Sequence, residues 1–501
     1  MRFTSLIVEL IRARPRLIVW IVVLMQAAIW LAVPLLLYRA PPGDLATVLA
    51  YGREYQVGSD LGPPLAFWLA DIAFRAAGNH IFGVYLLAQI CAVAMYLAVY
   101  HLGRAIVGGP HAVVAVLLTM TVTAFSSPGL EFGPLVLARP LWALFLLHGW
   151  LAIGQGRRNA WFALSLEAGL LLLTTTQAMW LLPLLLLFGL ASARGRRNLA
   201  SFDPLYALLV IAVLALPWAI WLIRAGVPVL PAPPPIGDVA VMAGRWAVLL
   251  AWLVAATAGV IVLAVMNAAW LAPNKEDAVI FRPPVDPLGR IYVVFFALGP
   301  GLLGTLFAAL YGLDHVVGGA GVALVMSGLA AVVLSGDLIA LRRHRLLRKV
   351  WAAAVIAPVI AVLAGVVVLP WIDLAEDGTA LPAGEIGRFF ADSFERRTGH
   401  KLPAVAGDRQ LAALIGLGAA RPHVLDDAAP ARTPWITAAA LAQSGGVVVW
   451  RAADAIGLPP ADIAARFPAL VPEVPRAFDR WINGRRPALR IGWAIIRPKA
   501  P

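Results

Sequence analysis

Cysteine and charge are both scarce in this chain of 501 residues. The single cysteine, Cys91, excludes a disulfide framework and a cysteine-based metal site. Only 13% of the residues are charged, while 61% are hydrophobic and the mean hydropathy is +0.83. Soluble globular domains do not have this composition, so most of the chain is predicted to lie in a lipid bilayer.

Long apolar runs are present throughout the first three quarters of the chain. Windows of about 20 apolar residues predict about eleven membrane helices. The first run is too long for the apolar core of a cleavable signal, and no cleavage site follows it, so we interpret it as a membrane span. The predicted spans are approximately 17–38, 80–103, 111–126, 134–153, 160–175, 178–193, 204–224, 244–270, 290–311, 317–338 and 350–371.

Acidic residues are few compared with basic ones, 27 against 40, and the net charge is +13. If the N-terminus is cytoplasmic, 18 of the 24 basic residues before position 372 fall in cytoplasmic segments. This distribution obeys the positive-inside rule. The surplus charge therefore indicates topology beside anionic lipid, and no nucleic-acid partner is predicted. With an odd number of spans, everything after about residue 372 lies outside the cytoplasm.

The last 130 residues have a different composition. From position 372 to the end there are 16 basic and 13 acidic residues, an ordinary balance for a soluble domain. One amphipathic helix is predicted in AGEIGRFFADSFERRTG, and strands in KLPAVAGD, GGVVVWRA and ALRIGWAIIRP. The prediction is an α-helical polytopic membrane protein, residues 1–371, followed by a small extracytoplasmic α/β domain, residues 372–501.

A polar stretch interrupts the apolar sequence early, in the loop of residues 38–79. It reads PPGDLATVLAYGREYQVGSDLGPPLAFWL over residues 41–69. Asp44 begins this loop, and Glu131 lies in the short second outside loop. Two interpretations of Asp44 stay open from the residues alone: an N-cap of the helix that follows it, or a functional carboxylate. Glu131 by itself is typical of a solvated loop residue.

Arg139 is predicted to lie about two turns inside the bilayer, in the fourth span. A charge in hydrocarbon is costly, so this side chain is expected to face the bundle interior and to meet an anion. That anion can be a carboxylate of the protein or the phosphate of a lipid. Backbone carbonyls freed by Pro140 are a further structural alternative, and the sequence does not choose among them.

The first loop resembles a known family. An acidic residue after the first span, then YGREYQVG, then the run GPPLAFWL, is similar to membrane-embedded GT-C glycosyltransferases that use polyprenyl-phosphate sugars. The likeness is greatest to bacterial relatives of protein O-mannosyltransferases and of the lipid A aminoarabinose transferase. It extends to WFALSLEAGLLLLTTTQAMWLLPLLLLFGL and to LPAVAGD, TPWI, GGVVVW and IGWAIIRP in the tail.

The resemblance implies roles for particular residues. Asp44 matches the acidic residue that serves as catalytic base, and Glu131 matches a second-loop carboxylate that assists. Arg53, Arg75 and Arg139 are candidates for binding the donor phosphate. Four further residues are expected to contact the acceptor or to shape the loop: Tyr51, Glu54, Pro63 and Pro64.

The sequence departs from the family pattern at three places. Leu45 follows Asp44 where a second acid is common, and Leu61-Gly62 precedes Pro63 where relatives often carry lysine. A lysine-tyrosine pair often found at the start of the sixth helix is replaced by the segment 174–177. The missing lysines leave the three arginines as substitutes.

The implied function is inverting transfer of a sugar from a polyprenyl-phosphate donor to an extracytoplasmic acceptor, which can be a lipid, a glycan or a protein. The implied location is the bacterial inner membrane, with the N-terminus cytoplasmic and the C-terminal domain periplasmic. No metal ligands are predicted, and a requirement for a divalent cation stays open. The alternatives are a transporter or flippase of lipid-linked sugars and a catalytically silent GT-C scaffold.

Overall fold

The structure is a computed structural model that describes most of the chain. The residues described are 9–59, 61–127, 130–226, 238–267, 278–282, 284–341, 344–372, 378–418, 421–425, 435–452, 454 and 456–499. The chain forms two compact units. The first contains Met1–Leu31, Leu86–Gly129 and Pro134–Val359, and the second contains Ala32–Tyr85, Leu130–Gly133 and Ile360–Pro501.

Apolar helices make up most of the structure, which confirms a multi-pass α-helical membrane protein. Within the described residues, seven helices are long and apolar enough to cross a membrane, and a pair bent by 111° would make an eighth. Three shorter apolar helices cover other predicted spans, so the exact number of crossings stays a prediction. The seven long helices are Pro15–Leu37, Phe82–Val107, Pro134–Gly154, Asp203–Ala225, Val239–Ala256, Pro287–Leu310 and Arg345–Val367. The bent pair is Ala178–Ala191 with Ala193–Leu199. The three shorter apolar helices are Gly109–Thr119, Asn159–Leu172 and Ala320–Leu334.

Large apolar side chains are exposed along several of these helices. Ile223 is 81% exposed and Trp252 is 71% exposed. Such surfaces would aggregate in water but are the normal lipid-facing surface of a membrane helix. The remaining helices are shorter: Leu45–Gly52, Leu65–Ala76, Thr123–Ser126, Ala258–Met266, Leu369–Ile372, Ala383–Thr398, Arg409–Gly416, Ala438–Ser444 and Ala461–Arg466.

Strands form a two-stranded ribbon in the first unit and a five-stranded sheet in the second. The strands are β1 (Ala278–Phe281), β2 (Leu338–Leu341), β3 (Ala404–Gly407), β4 (His423–Leu425), β5 (Gly446–Arg451), β6 (Pro472–Phe478) and β7 (Leu489–Ile496). β1 pairs with β2 antiparallel. The five-stranded order is β4-β3-β5-β7-β6, in which β3 is parallel to β4 and β5, and β7 is antiparallel to β5 and β6.

The small C-terminal α/β domain confirms the predicted fold class. Helix Ala383–Thr398 and strands β3, β5 and β7 coincide with the predicted elements. β3 is buried at every position, and β5 at all but its last, which explains their continuous apolar sequence. The sequence analysis missed β4 and β6, because β4 has three residues and β6 carries two prolines and two charges in PEVPRAF.

Candidate active site

The first polar loop folds into two short helices within the second unit. Helix Leu45–Gly52 is buried along its whole length, and Leu65–Ala76 runs beside it. They meet at Gly52, where an added Cβ would overlap the carbonyl oxygen of Phe67. Glycine is required at this position because only a residue without a side chain allows so close an approach. The loop is therefore a packed structure.

Asp44 occupies the N-cap position of the first loop helix, but its side chain does not cap it. The backbone carbonyl of Asp44 accepts a bond from the Val48 amide at 2.9 Å, as expected for a residue that begins a helix. The side chain makes no capping hydrogen bond and is exposed. Of the two interpretations of Asp44, the capping one lacks its hydrogen bond. The carboxylate is left available for other chemistry.

Glu131 lies against the residue that precedes Asp44. Gly43 has a φ of +52°, and a Cβ added there would be 2.5 Å from Cδ of Glu131 and 2.6 Å from its Oε2. The Glu131 carboxyl group thus touches the backbone next to Asp44, and its side chain is exposed. The structure thus places the Glu131 carboxyl group beside the residue that precedes Asp44, a proximity that the sequence could not show. A side chain at position 43 would be strained and would displace Glu131.

Asp71 is the centre of a buried charge network at the other end of the loop. Its side chain is 0% exposed and accepts a hydrogen bond from Tyr55 Oη at 3.0 Å. It also pairs with Arg75, Nε to Oδ2 at 2.6 Å, and with Arg421. Burial, together with the bond to Asp71, raises the pKa of Tyr55, which keeps the hydroxyl protonated as a donor. Arg421 was missed by sequence reasoning, because no local pattern connects it to the first loop.

Arg53 is a donor-phosphate candidate of the second unit with an unsatisfied guanidinium nitrogen. Its Nη1 is buried and has no hydrogen-bond partner among the described residues. Burial lowers the pKa of Arg53; neighbouring Glu54 opposes this shift, while Arg421 and Arg75 add to it. An anion beside Arg53 would relieve this cost, since it would supply the missing acceptor and the missing charge. Arg75 differs, because Asp71 already engages it.

The other predicted loop residues have mainly structural contacts. The Glu54 carboxylate lies 2.8 Å from Nδ1 of His423, which ties the loop to β4. Tyr51 is buried and contacts Phe67 and Trp435. Pro63 and Pro64 are buried immediately before helix Leu65–Ala76, and Pro64 is its N-cap residue. Whether they shape the loop or contact the acceptor stays a prediction.

Arg139 lies in the first unit, on helix Pro134–Gly149. Its Nε is buried without a hydrogen-bond partner among the described residues, and a Cβ added at Gly321 would be 2.5 Å from that atom. The guanidinium carbon is 5.8 Å from the centroid of the Phe125 ring. A carbonyl freed by Pro140 does not accept from Nε. The buried face of Arg139 therefore retains capacity for an anion.

Metal-ligating side chains do not gather in the part of the chain that the structure describes. There, no group of three or more His, Cys, Asp or Glu side chains is arranged to hold an ion. In the first unit, Nδ1 of His148 and Oε1 of Glu167 form a pair, 2.7 Å apart. Two side chains are too few to define a closed metal site.

Comparison with known proteins finds one family model that matches part of the chain and solved structures that match nearly all of it. Residues 62–221 match the family described as dolichyl-phosphate-mannose-protein mannosyltransferase. ArnT from Cupriavidus metallidurans bound to undecaprenyl phosphate aligns over 96% of this chain and 99% of its own, with a TM-score of 0.57 and 13% identity. The apo structure of the same ArnT aligns over the same shares, with a TM-score of 0.50 and 13% identity. No curated protein matches the sequence at a significant level.

These findings confirm the resemblance to GT-C-type glycosyltransferases at the level of the fold. The structural alignment covers both the helical membrane part and the C-terminal domain, whereas the family match covers only the early helices and part of the first loop. Asp44 precedes the matched range and Arg139 falls within it.

Proposed function

We propose that this protein transfers a sugar from a polyprenyl-phosphate donor to an acceptor outside the cytoplasm, with inversion at the anomeric carbon. The observation that carries the proposal is that two exposed acidic residues lie near each other in the second unit: Asp44 at the start of the first loop helix, and Glu131, whose carboxyl group lies against Gly43. Asp44 is at a helix start without capping it, so its carboxylate is not occupied by the helix and can accept a proton from an acceptor hydroxyl. The ArnT-like fold, solved elsewhere with undecaprenyl phosphate, supports a lipid-phosphate donor.

The reaction requires two things from the protein. As the acceptor hydroxyl attacks the anomeric carbon, its proton passes to a carboxylate, the role proposed for Asp44. The bond from that carbon to the phosphate oxygen breaks, and the electron pair leaves on the lipid phosphate. Arginine stabilises the growing negative charge because its planar fork fits phosphate oxygens. Arg53 is proposed for this role, since a buried nitrogen of its guanidinium has no hydrogen-bond partner among the described residues. Arg139 of the first unit is a separate candidate for the phosphate on the same ground.

Purified protein in nanodiscs tests the proposal when it is incubated with polyprenyl-phosphate sugars and an acceptor extract of the cell envelope. We expect polyprenyl phosphate to be released. Asp44→Asn removes the proton-accepting charge but keeps the side chain's size, so release should fall by about a hundredfold or more. Asp238→Asn is the matched control, because Asp238 is an exposed N-cap whose side chain accepts from the Ala240 amide at 2.8 Å.

The outcomes separate the alternatives. Equal release by Asp44→Asn and Asp238→Asn would remove Asp44 as the base. Movement of lipid-linked sugar across the membrane without release of polyprenyl phosphate would favour a flippase. Donor binding with neither activity would favour a silent scaffold.

We also propose that the protein lies in a bacterial inner membrane with its N-terminus in the cytoplasm. The distribution of basic residues supports this orientation. A reporter fused after Ile372 should lie on the periplasmic side, and one inserted within residues 342–349 should lie in the cytoplasm. Both reporters on the same side would contradict the orientation.

A further inference from the structure

A tight loop of the C-terminal domain, residues 479–486, lies against the end of the last long span. This loop joins β6 to β7 and reads DRWINGRR. The amide of Arg485 donates a hydrogen bond to the carbonyl of Pro370 at 3.0 Å. Gly484 has a φ of +54°, and a Cβ added there would be 2.3 Å from the same carbonyl oxygen, so this approach requires glycine. The loop is therefore held against Pro370, three residues beyond the span.

The same loop is joined to the end of the first span. The guanidinium carbon of Arg39 lies 4.8 Å from the centroid of the Trp481 ring, a cation–π contact. The amide of Trp481 donates to the Ala380 carbonyl at 3.0 Å. The amide of Arg39 donates to the adjacent Thr379 carbonyl at 2.9 Å. Because Arg39 follows the first span by two residues, both spans end at this loop, on one side of the membrane.

The length of the last long span places the loop at the depth of the lipid headgroups. That helix has 23 residues, or about 35 Å, against a hydrocarbon core of about 30 Å. Pro370 lies three residues further along a path that stays helical, which adds about 5 Å. Since the whole bilayer is about 40–45 Å thick, each headgroup layer is about 5–8 Å deep. A loop bonded to Pro370 therefore lies at the headgroups.

The exposed side chains around this contact have the character of a membrane interface. Trp371 and Trp481 are exposed, and so are Arg39 and Arg485. Tryptophan is enriched where apolar rings meet headgroups, and arginine binds phosphate oxygens through its planar fork. Within residues 479–486 there are three arginines against one aspartate, so the surface is positive. These four exposed residues are named the interfacial patch.

We propose that the interfacial patch binds the anionic headgroups of bilayer phospholipids and holds the C-terminal domain against the membrane surface. The two exposed arginines contact the lipid phosphates, and the two tryptophan rings lie among the headgroups. The first loop belongs to the same unit, so this contact sets the height of that loop above the bilayer. The inference does not depend on the proposed sugar transfer.

Native mass spectrometry of the full chain tests the interfacial patch. The protein is released from nanodiscs made of phosphatidylcholine and phosphatidylglycerol, and the retained lipids are counted by headgroup. We expect the wild type to retain phosphatidylglycerol in preference. Arg485→Gln should lower the preference about fivefold, the contribution of one basic residue beside an anionic surface. It should still fold, because the bond to Pro370 comes from the backbone. Adding Arg39→Gln should remove the preference.

A matched control and a second measurement make the result decisive. Arg388 is an exposed arginine of the same unit outside the patch, and its Nε donates to the Gly384 carbonyl of its own helix at 3.1 Å. Arg388→Gln should leave lipid retention unchanged. Thermal unfolding in nanodiscs with and without phosphatidylglycerol is the second measurement. The anionic lipid should raise the Tm of the wild type but not that of the double variant, since a ligand of the native state stabilises it.

Two outcomes would overturn the proposal. The first is equal retention of phosphatidylglycerol by the wild type and the double variant, or an equal loss in Arg388→Gln. The second is displacement of the retained phosphatidylglycerol by one equivalent of polyprenyl phosphate, which would assign the interfacial patch to the lipid carrier instead of the bilayer phospholipids.

Discussion

Two aspartates near opposite ends of the first loop have opposite surroundings. Asp44 is exposed and makes no capping bond, whereas Asp71 is 0% exposed and is engaged by Tyr55, Arg75 and Arg421. The carboxylate of Asp71 is already engaged by several donors, and its removal leaves buried cations uncompensated. The comparison agrees with the proposal that chemistry takes place at the Asp44 end of the loop, while Asp71 holds the other end in place.

The largest expected effect is on stability, and it concerns the end of the loop that contains Asp71. Asp71→Asn leaves Arg421 and Arg75 without their counter-charge, so we expect it to lower the free energy of unfolding by about 3 kcal/mol. Arg75 is half exposed, which limits its share of the loss. The measurement is thermal and denaturant unfolding of the reconstituted protein.

A matched control exists in the same chain. Asp462 forms the same i, i+4 pair with Arg466, at 3.3 Å, but its side chain is 69% exposed. Asp462→Asn should therefore cost no more than about 0.5 kcal/mol. If the two variants unfold alike, Asp71 does not hold the loop and the comparison fails.

The next effect concerns the lipid phosphate. Arg139→Ala removes a buried cation whose Nε has no hydrogen-bond partner in the described part of the chain, so donor affinity should fall by about tenfold or more, with a smaller loss of stability. Arg139→Lys should restore only part of it, because an ammonium group cannot reproduce the planar fork. Donor titration against the folded variants measures this. Unchanged donor affinity in a folded Arg139→Ala protein would mean that Arg139 does not bind the donor and has only a structural role.

The smallest effect concerns the second carboxylate. Glu131→Gln keeps the side chain against Gly43 but removes its charge, so sugar transfer should fall by less than it does in Asp44→Asn. We expect roughly a tenfold loss, with donor affinity unchanged. Initial rates at saturating donor give the comparison. A larger loss in Glu131→Gln than in Asp44→Asn would exchange the roles of the two carboxylates.

The sequence by itself determined the features that depend on composition and local pattern. Apolar windows predicted the membrane class, and alternating or continuous apolar runs predicted helix Ala383–Thr398 and strands β3, β5 and β7. The polar first loop was also visible, because charges are rare in its surroundings. These predictions succeed since membrane insertion and helix formation respond to residues close together in the chain.

Only the tertiary structure decided which distant residues meet. Arg421 reaches Asp71 across 350 positions of sequence, His423 reaches Glu54 across 369, and Glu131 comes to lie against Gly43. Such contacts depend on the order of strands and on close helix packing at Gly52, which no local pattern encodes. The sequence could mark Asp44 as either a cap or a base. The fold left its side chain exposed and without a capping hydrogen bond, whereas it buried Asp71 against two arginines, because burial depends on the packing of distant segments.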